Sequence, residues 1–515
     1  MRLVSAQSPV DAAFRQFWDA RNPQEAVAAG SAVVKSGARF DDAFARLKKG
    51  RSYLADVPRG VVRLSHAVAA VEFPYTLDVP QTYDPARKYQ IRVQLHGGVG
   101  RPDPATRGDG SIGTLAGAEQ IYVLPTSWAD APWWDESQLE NLRVILDRAK
   151  RTYNVDENRV VMSGVSDGGT GSYYFAMRDT TPFAAFLPLN GFIMILANPS
   201  LGLSEELFPH NLLNKPFFVV NGGRDPLYPA AAVEPYVRHL QKGGMTLDYD
   251  PQPDGVHNTA WWPAVKETFE TFARNHPRDP FPSRLTWEVE QAPEPGRSGE
   301  PRHSFNRAHW LVIDKISKVG STSASAPLQD LNELSAGSEP NFGVRTSGMR
   351  ITSVLAGSNA EQIGLKSGDV VVSINGRSLP AALDLLEILA VYQPGDRLTF
   401  MVSRDSKPVE ASGVFSPAMM PRLVPLFPRG APSGRVDLVR EGNTVRVTTR
   451  GVAGFTLLAS PDAFNFAQPI TVVADGRTVF NGRVETSVAT LMKWAALDND
   501  RTMLFGAEIR VSLDQ

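Results

Sequence analysis

The chain has no cysteine in 515 residues. Disulfides, thiolate zinc sites and cysteine nucleophiles are excluded together. Long apolar runs are missing too. No stretch approaches the roughly 18 consecutive apolar residues of a membrane-spanning helix, so no transmembrane segment is expected. Neither sign of charge is in excess: 53 Lys and Arg face 55 Asp and Glu, a net charge of −2. Without a basic surplus, no general affinity for nucleic acid or anionic membrane is expected. Histidine is scarce, with eight in all, and none are spaced as HxxxH or HExxH. A helical metal site therefore has no support, and no metal or cofactor is expected. What is present is ordinary for a globular protein: 42% hydrophobic and 21% charged residues, in a chain long enough for about three to four domains. The start lacks the apolar core of a secretory signal. Val4-Ser5-Ala6 before Gln7 nevertheless has the small-residue look of a signal's end. A trimmed export signal, hence a secreted or periplasmic location, and a plain cytoplasmic start both fit.

Residues 1–60 read as a helical segment. Asn22-Pro23-Gln24-Glu25 supplies an N-cap, a Pro at the first helical position and an acid at N3, a capping box. Residues 61–282 then alternate strands and helices. Strand candidates are 91–95, 120–124, 159–162, 183–189, 217–221 and about 246–249. Helix candidates are 136–153, 229–242 and 259–274. Such alternation implies an α/β domain with a doubly wound, mostly parallel sheet, with its site at the carboxyl ends of the strands. A Pro-rich break at 277–282 closes it. Residues 283–327 hold strands and a Ser/Ala-rich linker, too few to bury a core, and are expected to pair with the C-terminal strands. Residues 328–416 form a compact unit, inserted in that reading into one β-domain. Pro417 to Pro432 reads as a linker inside a final β-sandwich-like region, 417–515. From Val436 to Leu513 that region reads as all strand and turn, with hairpins at Gly442-Asn443 and Asp475-Gly476.

The strongest chemical signal is Gly164-Val165-Ser166-Asp167-Gly168, between a strand and a helix-like run. G-x-S-x-G in that context is a nucleophile elbow, which lifts a serine hydroxyl above the sheet. A serine hydroxyl needs a base, and the base an orienting acid. Asp225 follows the 217–221 strand, and His257 lies between the last strand candidate and the last helix. Asp254, on the histidine's own loop, is the rival acid. His96-Gly97-Gly98 follows the first strong strand. The Gly97 and Gly98 backbone, with the N–H of Asp167, is expected to form an oxyanion hole. Trp128, Trp133, Trp134, Tyr228 and Trp261 fall near the same strand ends and are expected to line an aromatic acyl pocket, Trp133 first among them. That pocket implies a preference for aryl or hydroxycinnamoyl esters.

Together these phrases, with Asn158-Arg159-Val160 and Asn221-Gly222-Gly223-Arg224-Asp225, make residues 75–276 resemble the α/β-hydrolase superfamily. The branch is that of feruloyl and acetyl-xylan esterases and polyhydroxyalkanoate depolymerases. The resemblance implies a Ser166–His257–Asp225 triad and hydrolysis of a small or polymeric ester through an acyl-enzyme. The chain between Gly191 and Lys215 is too short for a large lid domain, which suits an exposed ester. Prolyl-oligopeptidase-type peptidases share the triad order and are the alternative. The unit from Phe342 resembles a PDZ domain of the bacterial protease type. Asn341-Phe342-Gly343-Val344 matches its carboxylate-capturing loop, and Gly364 to Gly376 its central signature. Phe342, Gly343 and Val344 would then hold a peptide or protein C-terminus, with residues 381–390 as the flanking helix. A binding protein with a vestigial hydrolase domain is the third reading. All candidate catalytic residues lie between His96 and His257, so a chain ending near Pro282 is expected to retain the chemistry, within about tenfold on a small soluble ester, provided that it folds.

Overall fold

The computed structural model describes residues 8–102, 110–203, 205–290, 305–317, 330–379 and 384–513. The small-residue stretch at 4–7, read as the end of a signal, and the Ser/Ala-rich stretch at 320–327 lie outside them. The chain forms two compact units. One contains residues up to Asn332 and from Leu426 onward, and the other is Glu333–Pro425.

The first unit opens with helices α1 (Pro9–Asp19), α2 (Pro23–Lys35) and α3 (Phe40–Lys49). Asn22 caps α2 by accepting from the Glu25 N–H at 2.8 Å. Glu25 does not return the bond to Asn22; its carboxylate accepts from the Arg21 N–H at 2.9 Å. The three helices bury Phe14, Phe17, Val33 and Leu47 against Leu491, Met492 and Leu504. Leu491 and Met492 belong to a helix, Val488–Asp498, so the C-terminal region is not all strand and turn. Its strongly apolar surface is covered on one side by residues from the opposite end of the chain.

An eight-stranded sheet follows, made of β1 (Gly60–Val68), β2 (Val71–Val79), β3 (Tyr89–Leu95), β4 (Ile121–Pro125), β5 (Val155–Val165), β6 (Ala185–Leu189), β7 (Phe217–Val219) and β8 (Leu247–Tyr249). Its order is β1-β2-β4-β3-β5-β6-β7-β8. The pairings of β2 with β1 and with β4 are antiparallel, and the rest are parallel. This is the α/β-hydrolase arrangement. β6 and β7 are buried at every position, because layers cover both faces of the sheet's centre. The outer strand β1 instead alternates in burial. Helices α4 (Glu136–Thr152), α5 (Asp167–Arg178), α6 (Ala230–Lys242) and α7 (Trp262–Asn275) pack on the sheet.

The strand Arg284–Glu290 pairs with Ser433–Glu441, and Leu311–Ile316 with Val452–Ala459. They complete a five-stranded and a four-stranded sheet that enclose Trp287, Trp310, Phe455, Leu457, Ile470 and Phe505, a β-sandwich. This sandwich is joined to the hydrolase layer by buried charge. Arg278 meets Asp500 at 2.6 Å, both side chains 1% exposed. Arg501 bonds Glu157 at 2.5 Å. Lys215 and His309 are buried nearby.

Two of these groups contribute to the expected response to acid. Burial, with repulsion from Lys215 and Arg278, holds the His309 imidazole well below its ordinary value. Burial would raise the Asp500 carboxyl, but Arg278, Lys150 and the Thr502 hydroxyl outweigh it and hold it far below the usual carboxylate range. A histidine kept neutral in the fold loses stability as pH falls through about 6.5, where the unfolded chain takes up a proton. A depressed carboxyl contributes fully above about 4 and loses that contribution below. Both slopes have the same sign. Tm is expected to fall steadily from pH 7 to 4 and more steeply below. His309→Asn, which tolerates the residue's positive φ of 52°, should flatten the upper part in calorimetry. An unchanged slope between about pH 7 and 5 would exclude His309 as its source.

In the second unit, Glu333–Asn341 pairs with Ala418–Pro425 as a two-stranded ribbon. Half of the proline-rich stretch expected to be a linker, Ala418–Pro425, is thus a strand. It tolerates proline because each ribbon strand has one partner, leaving its outward N–H positions free of a ladder. The remaining sheet runs in the order Val344–Ser347, Arg350–Val354, Val370–Ile374, Arg397–Arg404, Lys407–Val414. Asp369, fully buried, accepts two bonds from Arg404, each 2.8 Å, and one from the Lys366 N–H, pinning the central turn. The expected helix at 381–390 is observed as Leu385–Leu389; residues 381–383 lie outside the described residues.

Candidate active site

β5 ends in the elbow. Ser166 adopts φ 56° and ψ −119°, a strained conformation for a non-glycine residue. The turn is so tight that a Cβ on Gly164 would stand 2.1 Å from the Gly168 carbonyl oxygen. Small residues are therefore obligatory on both sides. The Ser166 Oγ lies 2.9 Å from His257 Nε2, and His257 Nδ1 lies 2.7 Å from Asp225 Oδ2. The other Asp225 oxygen accepts from the N–H groups of Leu227 and Tyr228 at 2.8 and 3.0 Å. Its side chain is fully buried, while the histidine's is 20% exposed. Asp254 is turned outward, 82% exposed and paired with Arg224. Asp225 alone of the two acids reaches the histidine.

Asp167 is the first residue of α5, so its N–H has no carbonyl partner within the helix. Gly97 stands against Ser166. A Cβ there would meet the Ser166 Cβ at 2.8 Å, so only glycine lets this loop come so close. The loop is tied down at three points. The Asp167 carboxylate accepts from the Val99 N–H at 2.9 Å, the His96 ring accepts from the Ser127 N–H at 3.1 Å, and the Trp133 indole donates to the His96 carbonyl at 2.7 Å. The sequence marks His96 only as part of the loop, and gives no role to its ring or to the Asp167 side chain.

The aromatic pocket is revised. Trp133 is fully buried, with its ring against His96 at 5.0 Å; it supports the loop from below. Trp128 packs on Phe73 at 5.1 Å, and Trp134 is also buried. Trp261 borders a cavity of about 320 Å³ formed by the 252–256 turn, Asn258 and Ala260, which neither Ser166 nor His257 lines. Strand-end position predicted proximity, but Trp128, Trp133 and Trp134 are spent on packing. Tyr228 does stand beside the site, its ring edge-on to His257 at 5.5 Å. Phe192, missed in the sequence, adjoins Tyr228 at 6.0 Å. Among the described residues, short 3-10 turns join β6 to β7, and no lid domain covers the serine.

In the second unit, Phe342 is a core side chain stacked on Phe400 at 5.8 Å. It therefore offers backbone, not a side chain, to any ligand. Gly343 has φ +89°, and Val344 begins the edge strand of its sheet. Residues 350–404 match the family model of the PDZ domain. The inserted unit contains a PDZ domain.

Two curated relatives are similar over parts of the chain. A probable periplasmic serine endoprotease, DegP-like, from Marinomonas sp. is 34% identical over 100 residues, 19% of this chain and 21% of that one. The bifunctional acetylxylan esterase/xylanase XynS20E of Neocallimastix patriciarum is 29% identical over 133 residues, 25% of this chain and 18% of that one. The chain thus spans about a fifth of the length of each. Among solved structures, Est1E from Butyrivibrio proteoclasticus aligns with 42% of this chain and 98% of its own, at 17% identity and a TM-score of 0.33.

Proposed function

We propose that the protein is a serine esterase that hydrolyses carboxylic esters through an acyl-enzyme. The observation that carries this reading is the unbroken hydrogen-bond chain Ser166–His257–Asp225. Ser166 Oγ attacks the ester carbonyl carbon while His257 Nε2 takes the hydroxyl proton. The negative oxygen that forms is held by the Asp167 N–H and the Gly97-Gly98 backbone. The proton then passes from His257 to the departing alkoxide. Water, deprotonated by the same nitrogen, releases the acid and restores the serine. Asp225 keeps the imidazole oriented and offsets its positive charge.

The similarity to an acetylxylan esterase supports ester over amide as the substrate. The short turns that join β6 to β7 among the described residues suit an ester on a polymer, such as a polysaccharide-linked acyl group or a polyester. Any aromatic acyl preference rests on Tyr228 and Phe192, since Trp128, Trp133 and Trp134 are committed to packing and Trp261 borders a cavity that Ser166 does not line. In the PDZ domain, a peptide C-terminus would add as a strand beside Val344–Ser347, its carboxylate on the Phe342–Val344 backbone. A periplasmic or secreted location accords with the similarity to DegP-like proteins. No helix among the described residues is long and apolar enough to cross a membrane.

The test compares p-nitrophenyl acetate, a methyl hydroxycinnamate and a series of peptide p-nitroanilides on the purified protein. Ester turnover is expected to exceed anilide turnover by orders of magnitude. Comparable anilide cleavage would identify a peptidase of prolyl-oligopeptidase type. No turnover of either, with no labelling by a fluorophosphonate, would leave a binding protein.

A further inference from the structure

We infer that Asn190 is a positioning residue that locks the acid loop to the histidine loop. The inference rests on the triad reading. Asn190 directly follows β6, is fully buried, and has a left-handed φ of 47°. The strand before it supports the nucleophile, because the Leu189 carbonyl accepts from the Ser166 N–H at 2.9 Å. Its own N–H donates to the Val220 carbonyl at 2.7 Å, at the end of the neighbouring strand. Its side chain then makes two bonds in different directions. Oδ1 accepts from the Gly222 N–H at 3.1 Å, and Nδ2 donates to the Asn258 carbonyl at 2.8 Å.

Gly222 is the base of the turn that carries Asp225: its carbonyl accepts from the Asp225 and Ala230 N–H groups. Asn258 is the residue after His257. On the other side of His257, the two loops are already joined by backbone, Gly223 N–H to the Gln252 carbonyl at 2.7 Å and Arg224 N–H to the Gly255 carbonyl at 2.9 Å. Asn190 supplies the tie on the far side. With it, the histidine is held from both flanks; without it, the segment after His257 can swing away from Asp225.

The position also dictates the residue type. The side chain must accept at one atom and donate at another, which an amide does and a carboxylate does not. It must be short, and it must tolerate the left-handed conformation, which asparagine does better than other non-glycine residues. A misplacement of about 1 Å in a catalytic group can cost on the order of 10²-fold in rate.

The test uses the full chain and p-nitrophenyl acetate at pH 8. Asn190→Gly removes the side chain and keeps the backbone relaxed. Asn190→Asp keeps the volume and the acceptor but loses the donor. Both are expected to lower kcat by about 10- to 100-fold with KM changed less than about threefold. In an Asp225→Asn background the further loss from Asn190→Gly should shrink to under about threefold, because a residue that acts by holding histidine to the acid has nothing left to hold. Full kcat in folded Asn190→Asp overturns the inference, as does a loss that multiplies undiminished with Asp225→Asn. If Asn190→Gly does not fold, Asn190→Asp decides by the same readings. Ser166→Ala run in parallel separates the two levels. If it is inactive while both Asn190 variants run at the wild-type rate, the triad stands and this inference falls. If it retains the wild-type rate, the triad reading falls and takes the inference with it.

Discussion

Ser166→Ala is expected to cut ester kcat by about 10⁵- to 10⁶-fold and to leave the fold intact, since nucleophile and base act as one unit. His257→Ala should be as damaging, because an unassisted serine hydroxyl is a weak nucleophile. Asp225→Asn should cost less, on the order of 10⁴-fold, the scale set by removal of an orienting acid alone. The geometry adds a control. Asp254 stands in solvent beside Arg224, so Asp254→Asn should leave turnover within about twofold. Steady-state kinetics on a p-nitrophenyl ester, with circular dichroism to confirm folding, read all four. If Asp254→Asn were the more damaging of the two acid variants, Asp225 would be only the residue that caps its own turn, through Leu227 and Tyr228.

How much of this was legible depended on whether the constraint was local. The elbow could be read because its backbone leaves no room for a side chain at Gly164 or Gly168, so sterics wrote the motif into adjacent residues. That Asp225 and His257 meet at Ser166 could be read because chain order and strand ends place them on one edge. Trp133 could not be read correctly. Its distance from a strand end says that it is near the site, but not that its indole is spent on the His96 carbonyl. Asn190 before Gly191 reads as an ordinary turn, since its partners Gly222 and Asn258 come from two other loops. The helix Val488–Asp498 was hidden for a related reason. It lies between strands, and the surface that it covers belongs to α1–α3, at the other end of the sequence. A linear pattern carries no trace of that partner.

The junction with the β-sandwich decides which parts of the chain can be removed, and it bears on the condition under which a chain ending near Pro282 keeps its activity, namely that it folds. Such a chain would lose Asp500, the partner of fully buried Arg278, and Arg501, the partner of Glu157. In the intact fold, a buried charge left without its partner typically costs about 3–5 kcal/mol, a large part of a domain's total stability, whereas truncation also uncovers Phe14, Phe17, Val33 and Leu47, which Leu491, Met492 and Leu504 cover in the whole protein. The truncated chain is therefore expected to aggregate. Asp500→Ala, which isolates the first of these pairs, should lower Tm by roughly 6–20 °C, at about 2–4 °C per kcal/mol. The PDZ unit is the opposite case. Where the chain leaves the first unit and where it returns, Asn332 accepts from the N–H of Leu426 at 2.7 Å and exchanges two further bonds with Phe427, each 2.9 Å. The ends are already in contact, so replacing Glu333–Pro425 by a short Gly-Ser link should preserve Tm within a few degrees and ester turnover within about tenfold, ~1.4 kcal/mol of barrier. Scanning calorimetry and ester kinetics on the three proteins would check this contrast. A stable, active chain ending at Pro282 would mean that the Arg278–Asp500 pair is incidental to the hydrolase fold. A folded but inactive PDZ-deleted chain would mean that the inserted unit completes the site at Ser166.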